Sequence, residues 1–333
     1  MNQVFFALLR SGLWERPLVA SELAAAAALD EAGWKAILQI ARQQTVAGLL
    51  YRAVTHLPAD FKLPDGYVLD LMAIAGSLAR ENQVKATVTK QLFEECAATN
   101  LHPVVMKGQS VAAFYAHPEL RTSGDIDLYF PPEEYHRALA LLGGEAAPDG
   151  TRHIRRGGID IDIHDRYFDL HFPADKLPAV GTPEATVLLL SSHILKHAIG
   201  PGVGLRQCCD LAAAWHALAP TIDAASLREV FRRTGTYRWN RLLFSFLADH
   251  LDLPDTLFSD ERVSSEPLLR IILEGGNFGH FAESRTGALA ASDRRRKRNT
   301  LSRFLKRLPF SLHYAPRETV ATIGTLVRGN LHK

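Results

Sequence analysis

Asp125-Ile126-Asp127 places two carboxylates two residues apart, ahead of the apolar run Leu128-Tyr129-Phe130. Side chains alternate across a strand, so both acids take one face and Ile126 and Leu128 take the other. A later stretch has the same grammar. Ile159-Asp160-Ile161-Asp162-Ile163-His164 puts Asp160, Asp162 and His164 on one face and three isoleucines on the other. Carboxylates meeting at one sheet edge make an oxygen-rich seat for Mg²⁺, the cation that phosphoryl and nucleotidyl transfer uses. Upstream, the strand-like Val104-Val105-Met106 ends in Lys107-Gly108. A residue without a Cβ lets backbone approach phosphate closely, and a helix behind it offers free N–H groups to an anion. Ser110 is a further donor. Lys107 and Arg121 are the nearby cations. Arg121 suits a bidentate phosphate contact, or pairs with one of the acids and fixes the loop.

The elements that must hold these groups follow from periodicity. Residues 1–100 read as helical, with one long helix from about Gly66 to Thr99. From His102 the order is strand, short helix over 109–116, strand over 125–130, and a helix opened by Pro131-Pro132-Glu133-Glu134 and running through Leu142. Arg152–Arg156 and Ile159–Asp165 then read as a hairpin joined by Gly157-Gly158. That is a small mixed sheet with helices on it. From Pro183 the chain turns helical again over Glu184–Gly200, Arg206–Ala219, 226–250 and 266–275. The Gly-, Ser- and Ala-rich interval 275–293 reads as mobile. The expected division is a helical region 1–100, a core 101–182, a helical domain 183–290 and a basic tail 291–333.

Composition sets the outer bounds. The 333 residues are 47% hydrophobic, enough for a large core. A formal net charge of +2 excludes a polyanion binder by bulk charge. Cys96, Cys208 and Cys209 are too few and too badly spaced for a disulfide framework or a zinc knuckle, and Cys208-Cys209 read as core residues of a helix. The start MNQVFFALLRSGLW lacks the basic head and long apolar stretch of a signal peptide and reads as a first helix. No run reaches eighteen apolar residues, so no membrane span is expected and the cytoplasm is the simplest compartment. Between Arg294 and Lys333 eleven Lys/Arg face one Glu. There Leu301, Phe304, Leu305 and Leu308 form an apolar stripe beside Arg303, Lys306 and Arg307, a basic amphipathic helix that would lie on an anionic surface or pack on its own domain.

Lys107-Gly108, a helix, Tyr115, Arg121, Gly124-Asp-Ile-Asp-Leu128, Ile161-Asp-Ile-His164 and a later helical His193…Asp210-Leu211 together resemble the uncharacterised nucleotidyltransferase family. That family is related to the minimal nucleotidyltransferases of the DNA polymerase β-like superfamily. The resemblance spans roughly 25–250. It implies an α+β fold: a polymerase β-like core with a small mixed sheet, flanked by N- and C-terminal helical regions. The active site is expected between the core sheet and the C-terminal helices. By resemblance, Gly108 belongs to the phosphate loop, although Gln109 separates it from Ser110, and Asp125 and Asp127 are the metal pair. Asp162 is the best match to the third carboxylate, and Asp160, one step along the same strand face, is the alternative.

The implied reaction is Mg²⁺-dependent, with two ions expected. It moves a nucleoside monophosphate from an NTP such as ATP to an unidentified acceptor and releases pyrophosphate. The acceptor is a small molecule, a peptide or protein hydroxyl, or RNA. His164 shares the Asp162 face and is an accessory candidate. So are His193, Lys196 and His197, on one face of a helix by i, i+3, i+4 spacing, and Arg206 and Asp210 at i, i+4 on the next. Two other readings stand beside this one. One is an inactive nucleotide- or partner-binding module. The other is a metal-dependent phosphohydrolase built on His164-Asp165…Asp169…His171, whose spacing matches no standard zinc signature.

Overall fold

The computed structural model describes residues 2–146, 151–171, 176–200, 202–254, 256–275 and 293–331, the last stretch with side chains over 304–325. The interval 276–292, and with it most of the stretch read as mobile, lies outside the described residues, as do the side chains of Arg294–Arg298, Leu301 and Arg303. The chain divides into two compact units, residues 1–41 with 46–167 and residues 42–45 with 168–333. The N-terminal helices and the strand-bearing core thus belong to one unit.

In the first unit, α1 (Asn2–Trp14), α2 (Ala20–Ala27), α3 (Glu31–Gln43), α4 (Ala47–Thr55) and the 32-residue α5 (Tyr67–Ala98) precede the sheet. Then come β1 (Val104–Val105), α6 (Gln109–Ala112), a single 3₁₀ turn at Pro118–Leu120, β2 (Ile126–Tyr129), α7 (Pro132–Leu142), β3 (Glu145–Ala146), β4 (Arg152–Arg156) and β5 (Ile159–His164). The strand order is β1-β2-β5-β4-β3, with β2 and β5 parallel and the other pairs antiparallel. This is a mixed sheet in an α+β unit, a polymerase β-like core with helices around it.

One face of the sheet is closed. Ile126, Leu128, Ile161 and Ile163 pack there with Val88, Leu92 and Cys96 of α5 and Ala138 and Leu142 of α7. Burial of such a cluster is the main force fixing strand register, because a one-residue slip would turn every isoleucine outward. The opposite face carries the acids. Gly157 and Gly158 both have positive φ, +56° and +80°, as a two-residue hairpin turn demands. β3 was not foreseen. Two residues are too short to carry a period. α6 is also shorter than the expected 109–116. After Ala112 the backbone tightens, with Phe114 N–H bonding to the Val111 carbonyl and Tyr115 N–H to that of Ala112, and the helix does not continue.

The second unit is helical: α8 (Pro183–Ile199), α9 (Leu205–Leu218), α10 (Ala224–Arg233), α11 (Tyr237–Leu251), α12 (Glu266–Gly275), α13 (Asp293–Tyr314) and α14 (Pro316–Leu331). Thr182 caps α8 by accepting the Ala185 N–H, with Pro183 at the first position. Trp239, Phe231, Phe244 and Phe258 are fully buried and form its core. In α13, Phe304 is buried and Arg307 Nη1 donates to the Gly200 carbonyl at 3.0 Å, so this helix packs on its own unit. Leu305, expected in the apolar stripe, is instead exposed. Cys96, Cys208 and Cys209 are buried, and desolvation pushes the Cys96 thiol up to about 11 and the other two higher still, so all three are neutral packing groups. Among the described residues, no helix is long and apolar enough to cross a membrane.

Candidate active site

The parallel pairing of β2 with β5 sets Asp127 directly beside Asp162 and Tyr129 beside His164. Adjacent strands are about 4.8 Å apart, so two carboxylates far apart in sequence must face one another. Asp127, Asp162 and His164 each offer a ligand atom, and these atoms all lie within 4.8 Å of one another. His164 Nε2 is 2.9 Å from Asp127 Oδ1. Asp125 leads into β2 from an exposed position.

Electrostatics reports the same convergence. Burial pushes the Asp162 carboxyl above the ordinary aspartate range, and the charges of Asp125 and Asp127 push it further, against the opposing pull of His153. The charges of Asp125 and Asp127 are thus both felt at Asp162.

Two further side chains already touch the cluster. Lys107 Nζ is 3.1 Å from Asp127 Oδ1, and Asp127 is only 2% exposed. His153 Nδ1 makes a short hydrogen bond to Asp162 Oδ1 from the facing position on β4. Lys107 thus sits on Asp127, which the phosphate-binding expectation did not include. His153 went unnoticed in the sequence, yet the Gly157-Gly158 turn implies it. A two-residue turn pairs 156 with 159, hence 153 with 162.

Asp160 goes elsewhere. It faces Arg155 across the hairpin, with Arg155 Nε 3.6 Å from its Oδ1 and both side chains 71% exposed. Geometry therefore favours Asp162 over Asp160 as the acid that joins Asp127.

Gly108 adopts φ +71° and ψ −107°, where side-chain-bearing residues are strained. A Cβ placed there would stand 3.7 Å from the Asp125 carbonyl oxygen, so the dihedral rather than lack of space calls for glycine. The loop bearing Gly108 thus runs beside the entry to β2. Ser110 is exposed on the one-turn α6. Arg121 is buried in the loop before β2, its Nη1 3.4 Å from the Thr122 carbonyl.

That loop is held from behind by α5. Asn82 Nδ2 donates to the carbonyls of Glu119 (2.7 Å) and Arg121 (2.9 Å). Lys85 Nζ donates to the Ser123 carbonyl at 2.8 Å and is paired with Glu81. Thr89 Oγ1 donates to Gln109 Oε1 at 2.7 Å. Residues 82, 85 and 89 share one helix face. Sequence reasoning missed this strut, although a lysine three positions before buried Val88 was its signal. Beside it lies a groove of about 610 Å³, lined by Asn82, Thr89, Phe93, Gln109, Ala112 and Ser123 among others.

The remaining candidates belong to the second unit. His193 and Lys196 both contact Asp169, and His197 contacts His193. Asp210 is buried on α9, one turn from Arg206. The stretch His164-Asp165…Asp169…His171 does not act as one cluster. His164 turns to Asp127, Asp169 to His193 and Lys196, and His171 to Glu318.

A parallel β2–β5 pair carrying facing acids, next to a glycine loop and backed by helices, defines the nucleotidyltransferase class of fold. The model of the family described as uncharacterised nucleotidyltransferase matches residues 30–252, two thirds of the chain, and the protein belongs to that family. No curated protein and no solved structure matches the chain.

Proposed function

We propose that the protein is a divalent-metal-dependent nucleotidyltransferase that moves a nucleoside monophosphate from an NTP to an acceptor hydroxyl and releases pyrophosphate. The observation that carries this reading is the Asp127–Asp162–His164 cluster, set by parallel register beside the Gly108 loop. Its donors fit a divalent cation. Burial and the charges of Asp125 and Asp127 raise the cost of ionising Asp162, which a bound cation offsets. Asp127, Asp162 and His164 would hold it, with Asp125 contributing to a second ion. Mg²⁺ and Mn²⁺ both suit carboxylates, and the imidazole tilts the set toward the softer of the two. When bound, such ions activate an attacking hydroxyl and neutralise charge on the triphosphate and leaving group.

The chain's own residues supply position and charge. Asp127 and Asp162 orient the cation-bearing edge of the sheet. His164 holds Asp127 through Nε2. His153 fixes Asp162. Lys107 exchanges Asp127 for a substrate phosphate oxygen once the acid is otherwise satisfied, and the backbone at Gly108 leaves room for that phosphate. Asn82, Lys85 and Thr89 hold the connecting loop still. The groove along α5 would take the organic part of a substrate, since Gln109 adjoins Gly108 and Ser123 lies two residues before Asp125. ATP as donor, and a small molecule, a protein hydroxyl or RNA as acceptor, remain within this reading.

The test is transfer of label from α-labelled NTPs to components of a cell extract. Wild type should label an acceptor with Mg²⁺ or Mn²⁺ and Asp127→Asn should not. The Lys107 contact on Asp127 favours one second reading, a module whose own cation neutralises the acids and which binds nucleotide without turnover. Tight NTP binding with no pyrophosphate released, in the presence of extract, would select it.

A further inference from the structure

Helix α8 brings His193 and His197 together on one face, four residues apart. His193 Nδ1 lies 2.9 Å from Asp169 Oδ2, and Lys196 Nζ lies 2.9 Å from the other carboxylate oxygen. An ionised carboxylate only accepts hydrogen bonds, so in the neutral ring the His193 proton sits on Nδ1 and Nε2 presents a lone pair. That Nε2 faces His197 Nε2 at 3.2 Å, with the ring planes at 79°. Two nitrogens bound to one tetrahedral ion at about 2.0–2.1 Å stand about 3.3–3.4 Å apart. The observed separation is close to that spacing.

We propose that His193 and His197 are the protein ligands of a zinc-class transition-metal site in the second unit, with Asp169 as the positioning carboxylate. A ligating histidine that donates its other N–H to a carboxylate is fixed in tautomer and orientation and made more basic. Both rings are largely buried, the His193 side chain 12% and His197 9% exposed, so little rotamer freedom is lost on binding. Lys196 is half exposed and paired with Asp169, so its charge is screened by both solvent and the carboxylate. Imidazole pairs select Zn²⁺, Co²⁺ or Ni²⁺ over Mg²⁺. Two nitrogens leave further coordination positions to water or an incoming ligand. A proton shared between the two Nε2 atoms would also hold them at 3.2 Å, and metal binding separates the two explanations.

The experiment uses the full-length, tag-free chain carrying Asp127→Asn, so that the carboxylate cluster of the first unit does not compete. The protein is stripped with chelator. Zn²⁺ is then titrated against a chromophoric chelator, and Co²⁺ is followed by its visible absorption. We expect one Zn²⁺ per chain, bound about 100-fold more weakly after His197→Gln and about 10- to 100-fold more weakly after Asp169→Asn. The Co²⁺ band should vanish in His197→Gln. Zinc affinity unchanged by both substitutions, or no stoichiometric zinc in the folded Asp127→Asn chain, overturns the site. Asp169→Asn removes no ligand and reads the proposal even if His197→Gln fails to fold.

Discussion

The two histidine-bearing clusters are built by opposite means. In the first unit, strand register sets Asp127 against Asp162 and carries His164 to them. In the second, a single helix sets His193 against His197, and Asp169 comes from the segment before it. The sheet-built cluster gathers like charges, and its apolar underside pays for that repulsion through the isoleucine core. The helix-built cluster gathers imidazole rings, one of them held by a single carboxylate. Hard oxygen donors suit a cation that works on phosphate, and imidazoles suit a softer one.

The largest effect expected from breaking this comparison is on the sheet side. Asp127→Asn and Asp162→Asn should each lower nucleotidyl transfer on the order of 10³-fold, as loss of a main charge-stabilising group does. Asp160→Asn, on the same strand, should change it less than about twofold, since its partner is the exposed Arg155. Steady-state rates on labelled NTP compare all three. Equal losses at 160 and 162 would break the distinction.

Next is the strut. Lys85→Met removes a buried charged hydrogen bond to the Ser123 carbonyl and should cost about 1–3 kcal/mol in urea unfolding. Transfer should fall through kcat as the loop before Asp125 loosens. Gly108→Ala should cost about 1–2 kcal/mol from its left-handed φ alone, because a Cβ there meets no clash.

The smallest effect is a matter of sign. The Asp162 pKa is raised in the fold, so the native state holds this proton more tightly than the unfolded chain. Asp162 therefore favours folding at low pH, and that favour is lost as pH rises from 3.8 through the raised value. At neutral pH with chelator, Asp162→Asn should melt higher than wild type. With Mn²⁺ the order should reverse, because only wild type keeps the full ligand set. Melting curves in the two buffers check both halves.

The acids were legible because strand alternation alone places them. Asp125, Asp127, Asp162 and His164 could be grouped before any fold was known, and the isoleucines opposite them named the buried face. His153 was implied by the Gly157-Gly158 turn, whose pairing arithmetic reaches Asp162. Lys85 was harder. Helical period puts residues 82, 85 and 89 on one face, but nothing local says which loop lies behind it. Resemblance preferred Asp162 to Asp160, and the parallel register that sets Asp162 beside Asp127 is a long-range pairing that no spacing within β5 reveals. The His193–His197 pair was visible as a helix face, while Asp169, on which the tautomer depends, belongs to a segment with no regular period.

The most direct test of the central claim is Mn²⁺ binding followed by loss of the free-ion electron paramagnetic resonance signal. Wild type and Asp160→Asn are expected to bind at least one Mn²⁺ with the same affinity, while Asp127→Asn and Asp162→Asn lose that site. Equal Mn²⁺ binding by all four proteins would contradict a cation held between β2 and β5, and the transfer chemistry built on it.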